Sequence, residues 1–426
     1  MGAFLGVFAL FLVTGVPIAL ALGIAGVAFL WLSGNDMMLL QLPQRMMAGV
    51  NQFVLLTIPL FLLAGTLMNA GGITDRIVNF ARATVGHRRG GMSSVTVLSA
   101  GFFAGISGSA NAEAAALGSI LIPTMKKQGI PGPYAAALVG VCTIVGPIIP
   151  PSITMIIYGV LSGTSIGQLF LAGVVPGVLL VVLFLIYAGW RARRDGFPVS
   201  ERLPMAQRRS AFISVMPALL LPLIILVGIK TGVFTPTEAA AVAVVYALIV
   251  GMAYRQLSPA RIWEALVVTA IVTSSILFIT SMASIVAFVF TLEQVPARIT
   301  DLILSVTDNR LLILLFLNLF LLLLGMFIDP ISILILAMPI LLKIGLLLGM
   351  DPVHFGTMVV LNVVIGMATP PVGIQLFIVS AASGEPLTRV IREAIPLVWI
   401  CIVVLALVAL LPPLTLFLPS ALIPVH

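Results

Sequence analysis

The chain has 426 residues, 61% of them hydrophobic and 8% charged, with a net charge of +7 and a mean hydropathy of +1.25. So little polar surface cannot cover a water-soluble globule, which makes the bilayer the solvent that the composition demands. The 21 Lys and Arg residues fall between apolar stretches and form no basic face interleaved with aromatics, which excludes nucleic acid as a partner. Two cysteines, Cys142 and Cys401, both inside apolar segments, exclude a disulfide framework or a thiolate metal site.

In chain order, the apolar run 4–32 lacks a basic flank and is too long for a signal peptide, so one retained helix is expected within a scaffold segment 1–50. Residues 51–190 make a first repeat. An apolar helix over 52–70 leads into an arm carrying Arg76, Arg82, Arg88 and Arg89, and then into the segment 92–125. The middle of that segment, from Gly105 through Ser107, Ser109 and Asn111 to Glu113, is too polar for a helix facing lipid. Lys126 and Lys127 return the chain to the side of the arginines, so 92–125 is predicted to be a re-entrant hairpin. Half of a bilayer core about 30 Å thick needs about 10 helical residues, so its tip reaches mid-membrane, where only protein or a water-filled cavity can satisfy exposed backbone. Residues 133–161 form a broken helix, because Pro147, Pro150 and Pro151 after Gly146 remove backbone donors and clash with the preceding turn. The apolar run 168–190 closes the repeat.

Residues 191–261 hold a cytoplasmic loop and two scaffold helices. The stretch 191–209 contains six arginines against Asp195 and Glu201, which places it in the cytoplasm. Scaffold helices are expected over 211–230 and 238–254, with Thr235 to Glu238 reading as a helix-start cap.

A second repeat occupies 262–418. Gly146, Pro150 and Pro151 recur as Gly366, Pro370 and Pro371 at an offset of 220 residues, and Gly105 and Ser109 map by that offset to Gly325 and Asp329. A hairpin over 311–345, a broken helix over 353–382 and a last span over 394–418 follow. The arm 291–310 has two arginines and three acidic residues where the first arm is basic, so the copies lie on opposite sides and are inverted. The fold class is an all-α polytopic membrane protein with two re-entrant hairpins and two broken helices, crossing nine times from a cytoplasmic N-terminus to a periplasmic C-terminus. Interrupted apolar segments at matching places in two halves are the sequence mark of a secondary transporter's binding site.

The first tip offers Ser107, Ser109, Asn111 and Glu113 as oxygen donors, and the first break offers carbonyls freed around Gly146 and Pro150. Hydroxyls and unwound carbonyls at half-helix ends ligate Na⁺, and half-helix N-termini attract carboxylates. Small residues also let helices pack closely, but a matched second copy favours one cation site per repeat. In that copy Asp329 and Pro330 mark the tip and Gly366 to Pro371 the break, with Thr369 adding an oxygen where the first copy has Ile149. Asp329 also fits an N-cap before a proline at the first helical position, a role compatible with cation binding. Glu113 near the bilayer centre costs about 2.5–3.5 kcal/mol, so it faces a cavity or a partner. Proton carrier, cation ligand and helix N-terminal charge all fit it, the last two best. Asn111, Ser152, Thr154, Asn362 and Gln375 flank these features as candidate ligands for a substrate carboxylate or hydroxyl, with interhelical hydrogen bonding an equal account of each. His87, His354 and His426 are scattered, and no nucleotide-binding loop, nucleophile elbow or metal-ligand spacing occurs, so neither an enzyme nor a bound cofactor is expected.

The string GISGSANAEAAALGSILIPTMKKQGIP, then GPIIPPS, and later FIDPISILILAMPI and GMATPPVG together resemble the large membrane subunit of tripartite ATP-independent periplasmic (TRAP) transporters, over essentially the whole chain. The resemblance implies a bacterial inner-membrane, elevator-type carrier that couples Na⁺ to uptake of a C4-dicarboxylate, sialic acid or a related carboxylate. It implies two partners besides lipid: a small four-helix membrane subunit, expected as a separate chain, and a periplasmic substrate-binding protein. It carries the family's cation sites onto Ser107, Ser109, Gly146 and Pro150 in one repeat, and onto Gly325, Gly366, Thr369 and Pro370 in the other. The competing expectation is a stand-alone divalent-anion and sodium symporter, which has similar hairpins and breaks but no partner subunits. A channel or inert scaffold has no reason for matched breaks in both halves.

Overall fold

The described residues, 2–199 and 201–422 of a computed structural model, are helices joined by short connections, with an isolated bridge between Arg89 and Val199 as their sole extended pairing. His426 lies outside the described residues. Eight helices among them are long and apolar enough to cross a bilayer, from Phe53–Ala70 to Leu387–Leu410. The longest is Pro259–Leu292, at 34 residues.

Proline and glycine decide where the apolar runs are cut. The run 4–32, expected as one helix, is two, Gly2–Val13 and Ile18–Leu32. Gly15 adopts φ +80°, which only glycine takes without strain, and Pro17 has no N–H to continue the ladder. Gly23 and Gly26 of the second piece lie directly against Met282 and Ile285 of the long helix Pro259–Leu292. The run 394–418 is likewise divided at Leu411 and Pro412, between Leu387–Leu410 and Pro413–Leu422. Two adjacent prolines, Pro412 and Pro413, leave no donors for a continuous helix there.

The first hairpin is Gly91–Ser107 followed by Ala110–Lys127, and the second is Arg310–Phe327 followed by Pro330–Leu347. Each arm has 17 or 18 residues, about 27 Å at 1.5 Å per residue. Arm length therefore does not separate a re-entrant hairpin from a pair of crossings. The broken helices are Gly132–Cys142 with Ile153–Ser162, and Pro352–Gly366 with Ile374–Ser383. A short 3₁₀ turn, Thr143–Val145, extends the first before it unwinds.

Hydrogen bonds hold the helices outside the hairpins together, as expected where lipid supplies no hydrophobic drive between them. Thr57 and Thr237 share a buried hydroxyl contact of 2.8 Å, and Tyr246 and Tyr254 each donate at 2.7 Å to carbonyls of Met205–Lys230. The basic segments gather at one end of the molecule. Arg208 donates to the carbonyl of Ala83 at 3.1 Å, Arg191 pairs with Glu393 at 3.1 Å, and Lys126 pairs with Glu385 at 2.7 Å.

Candidate transport site

In the first repeat, the helix Gly91–Ser107 ends because Gly108 turns left-handed at φ +62°, and Ser109 caps the next helix, its hydroxyl accepting from the Ala112 N–H at 3.5 Å. The turn lies on the break: a Cβ on Gly108 would come within 2.4 Å of the Pro151 carbonyl oxygen. Gly105 and Gly65 thin the surroundings, Gly105 beside Pro222 and Gly65 beneath Ser107. Ser107 holds only loose partners, donating to the Ser109 carbonyl and accepting from the Ser109 N–H, both at 3.3 Å. Ser107, Ser109, Pro150 and Pro151 thus form one cluster, and Gly146 joins it through the buried carboxylate of Glu113, which lies against it.

The second repeat builds the same junction from bare backbone. A Cβ on Gly366 would sit 2.5 Å from the Gly325 Cα, so the two glycines touch main chain to main chain. The Gly373 N–H donates across to the Met326 carbonyl at 3.1 Å, fastening the break to the tip. Asp329 caps the second arm, accepting from the Ser332 N–H at 3.1 Å and, through its other oxygen, from the Ser332 hydroxyl. The Thr369 hydroxyl donates to the Ile365 carbonyl at 2.8 Å, leaving its oxygen lone pairs for another partner. Peptides 150–151 and 370–371, the double prolines of the breaks, are both cis.

A cavity of about 70 Å³ lies where the two tips and two breaks converge, lined among others by Ser109, Asn111, Pro147, Thr154, Asp329 and Met367. A larger one of about 840 Å³ shares Ser109 and Asn111 and runs past Asn69 to Asp75, Gln256, Arg261 and Glu264. Of the five residues singled out for substrate, Thr154 and Asn111 line the small cavity, and Gln375 Nε2 donates to Asn111 Oδ1 at 2.9 Å, across the repeats. Ser152 is spent on its own turn, its buried hydroxyl donating to the Pro147 carbonyl and accepting from the Met155 N–H. Asn362 is buried away from both cavities and donates to Asn318 Oδ1 at 2.8 Å. Sequence reasoning missed Asn318 and Arg261. Asn318 was findable as the lone amide in an otherwise apolar arm, whereas Arg261 reaches the cavity only through the packing of Pro259–Leu292.

A family model described as "Tripartite ATP-independent periplasmic transporter, DctM component" matches residues 5–414. The chain belongs to this family. It is 40% identical to the sialic acid TRAP transporter large permease protein SiaM of Vibrio cholerae over 413 residues, 96% of each chain. It is 39% identical to the C4-dicarboxylate large permease protein DctM of Pseudomonas aeruginosa, covering 94% of each. It is also 36% identical to the 2,3-diketo-L-gulonate large permease protein YiaN of Escherichia coli, over 97% of this chain and 96% of that one. Among solved structures, the YdaH transporter of Alcanivorax borkumensis superposes with a TM-score of 0.66 over 89% of this chain at 14% identity, a likeness of fold. The protein is thus a multi-pass inner-membrane permease, the large subunit of a TRAP transporter.

Proposed function

We propose that this permease takes up a small carboxylate by Na⁺ symport, receiving it from a periplasmic binding protein and working with a small membrane subunit. The observation that carries the reading is the convergence of two tips and two breaks on one small cavity, with Asn111 in its lining held by Gln375 of the other repeat. Two clusters of hydroxyls and unwound carbonyls flank it, Ser107, Ser109, Gly146 and Pro150 on one side and Gly325, Gly366, Thr369 and Pro370 on the other, a donor set suited to Na⁺. Relatives are named for the carboxylates sialic acid, C4-dicarboxylates and 2,3-diketo-L-gulonate, and another for the sulfonate isethionate, which supports a small organic anion, most often a carboxylate, without choosing its member. Partner subunits follow from membership in a tripartite family, against a stand-alone carrier.

Transport in this reading is an elevator: hairpins and breaks move as one body against the helices Phe53–Ala70, Met205–Lys230 and Pro236–Ala253. The large cavity, running from the first tip to Asp75, Gln256, Arg261 and Glu264, is in this reading the exit path of an inward-facing state. Uptake into proteoliposomes holding both membrane subunits and the binding protein tests the reading. It is expected to require an inward Na⁺ gradient, and equal uptake with choline in place of Na⁺ refutes the coupling. Bridging cysteines introduced by Thr66→Cys and Ala112→Cys, which both line the large cavity, with a bifunctional thiol reagent is expected to stop uptake. Full uptake after complete crosslinking sinks the elevator.

A further inference from the structure

Among the described residues, Glu113 is the carboxylate that is wholly enclosed with neither oxygen hydrogen-bonded. It sits in the first turn of Ala110–Lys127, and its Oε1 lies 2.2 Å, and its Oε2 3.1 Å, from where a Cβ on Gly146 would be. The carboxylate is therefore flat against the first break, in the space that the missing side chain leaves. No described Lys or Arg pairs with it. An enclosed charge without donors or a counter-charge costs several kcal/mol, and nothing in the surrounding packing offsets that. By the offset of 220 residues its counterpart is Ile333, itself buried, and the acid of the second hairpin is instead Asp329, both of whose oxygens are taken by Ser332. One repeat holds a free carboxylate at its break; the other holds a satisfied one at its tip.

We infer that Glu113 is a direct ligand of a monovalent cation at the first break, an assignment that rests on the Na⁺-coupled reading and deepens it by making the two cation sites chemically unequal. The cation supplies the counter-charge that the protein withholds, and Gly146 is glycine because a side chain would occupy the carboxylate's seat. A full negative charge attracts a small ion more strongly than a large one, since the attraction grows as the separation shrinks. The first site accordingly prefers Na⁺ or Li⁺ to K⁺. The second, built from backbone and hydroxyl dipoles, binds more weakly and discriminates less.

The test uses the full chain with its small subunit, and reads Na⁺ binding as the rise in unfolding temperature with NaCl against KCl, beside the Na⁺ dependence of uptake. Glu113→Gln keeps the shape and removes the charge. It is expected to raise the Na⁺ needed for a half-maximal shift at least tenfold and to raise the half-maximal Na⁺ for uptake in parallel. Gly146→Ala, which pushes the carboxylate off the break, is expected to do the same. Glu113→Asp, which retains charge but withdraws it by one methylene, should fall between. Should Glu113→Gln not fold, the other two variants carry the comparison. Wild-type Na⁺ dependence in Glu113→Gln, or in both Gly146→Ala and Glu113→Asp, overturns the assignment while leaving Na⁺ coupling standing. Absence of any Na⁺ effect in the wild type overturns both together.

Discussion

The two repeats reach the same backbone device by different side chains. In the first, a serine caps the tip, a left-handed glycine rests on the break, and an acid is sealed between them; in the second, an aspartate caps the tip and two glycines meet directly. Both copies keep the same backbone device, a helix stopped at a tight turn whose end lies on an unwound stretch. They differ in where the charge goes. Ser109 and Glu113 in one copy correspond in position to Asp329 and Ile333 in the other, so the one carboxylate of each hairpin stands a helical turn apart in the two copies.

Gly366→Ala should break the comparison most severely. The new methyl meets main chain rather than a movable side chain, and such overpacking typically costs about 1–3 kcal/mol. We expect uptake to fall more than tenfold with a lower unfolding temperature, whereas Gly105→Ala, which meets the ring of Pro222, should lose less. Equal losses in the two would mean that the junctions are equally tight. Next in size is the bridge between repeats. A neutral hydrogen bond is worth about 0.5–1.5 kcal/mol, so Gln375→Ala should raise the substrate concentration for half-maximal uptake up to about tenfold. Ser152→Ala should instead lower stability by about 1 kcal/mol, as loss of a helix cap does, without shifting that concentration; an unfolding curve beside a substrate titration separates the two.

A smaller effect, a few-fold rise in the Na⁺ requirement, is expected for Ser109→Ala and for Thr369→Ala. Different sizes in the two would measure the inequality of the cation sites, and no change in either at full expression removes both side chains as ligands. The smallest concerns His87 at the basic end. Its burial, with Arg202, Arg208 and Arg88 nearby, holds the imidazole below its ordinary pKa. The unfolded chain then takes up the proton first, so this contribution is complete above about pH 6.5 and is lost as pH falls through the depressed value. His87→Gln should flatten the acid side of a stability profile slightly; an unchanged profile removes His87 from the account.

Much of the architecture was legible because interruptions in apolar sequence are costly and therefore informative. Ser109 and Asp329 announced the tips, Pro151 and Pro371 the breaks, and the repeat offset tied them into pairs. The same logic, applied to length alone, failed at 4–32 and 394–418, where Gly15 with Pro17 and Pro412 with Pro413 were present but were not weighed against the apolar count. At the site, polar residues beside a break could be named but not sorted. Whether Ser152 faces a substrate or its own turn depends on one side-chain rotation, and Asn362 points to Asn318 because of how two helices cross, which no local pattern encodes.

The 34-residue helix Pro259–Leu292 raises a matter of thickness. At 1.5 Å per residue it is about 51 Å long, against a hydrocarbon layer of about 30 Å, and even the steepest usual tilt of about 40° fits only about 39 Å of it inside. About 12 Å must stand in the headgroup layer or beyond. The first two turns are the part equipped for it, with Arg261, Glu264 and a Trp263 that is 69% exposed, the kind of residue that anchors a helix at the interface. A Trp263 so placed anchors this helix, and with it Arg261 in the lining of the large cavity: a membrane a few ångströms thinner or thicker would raise or lower Arg261 relative to the bilayer surface.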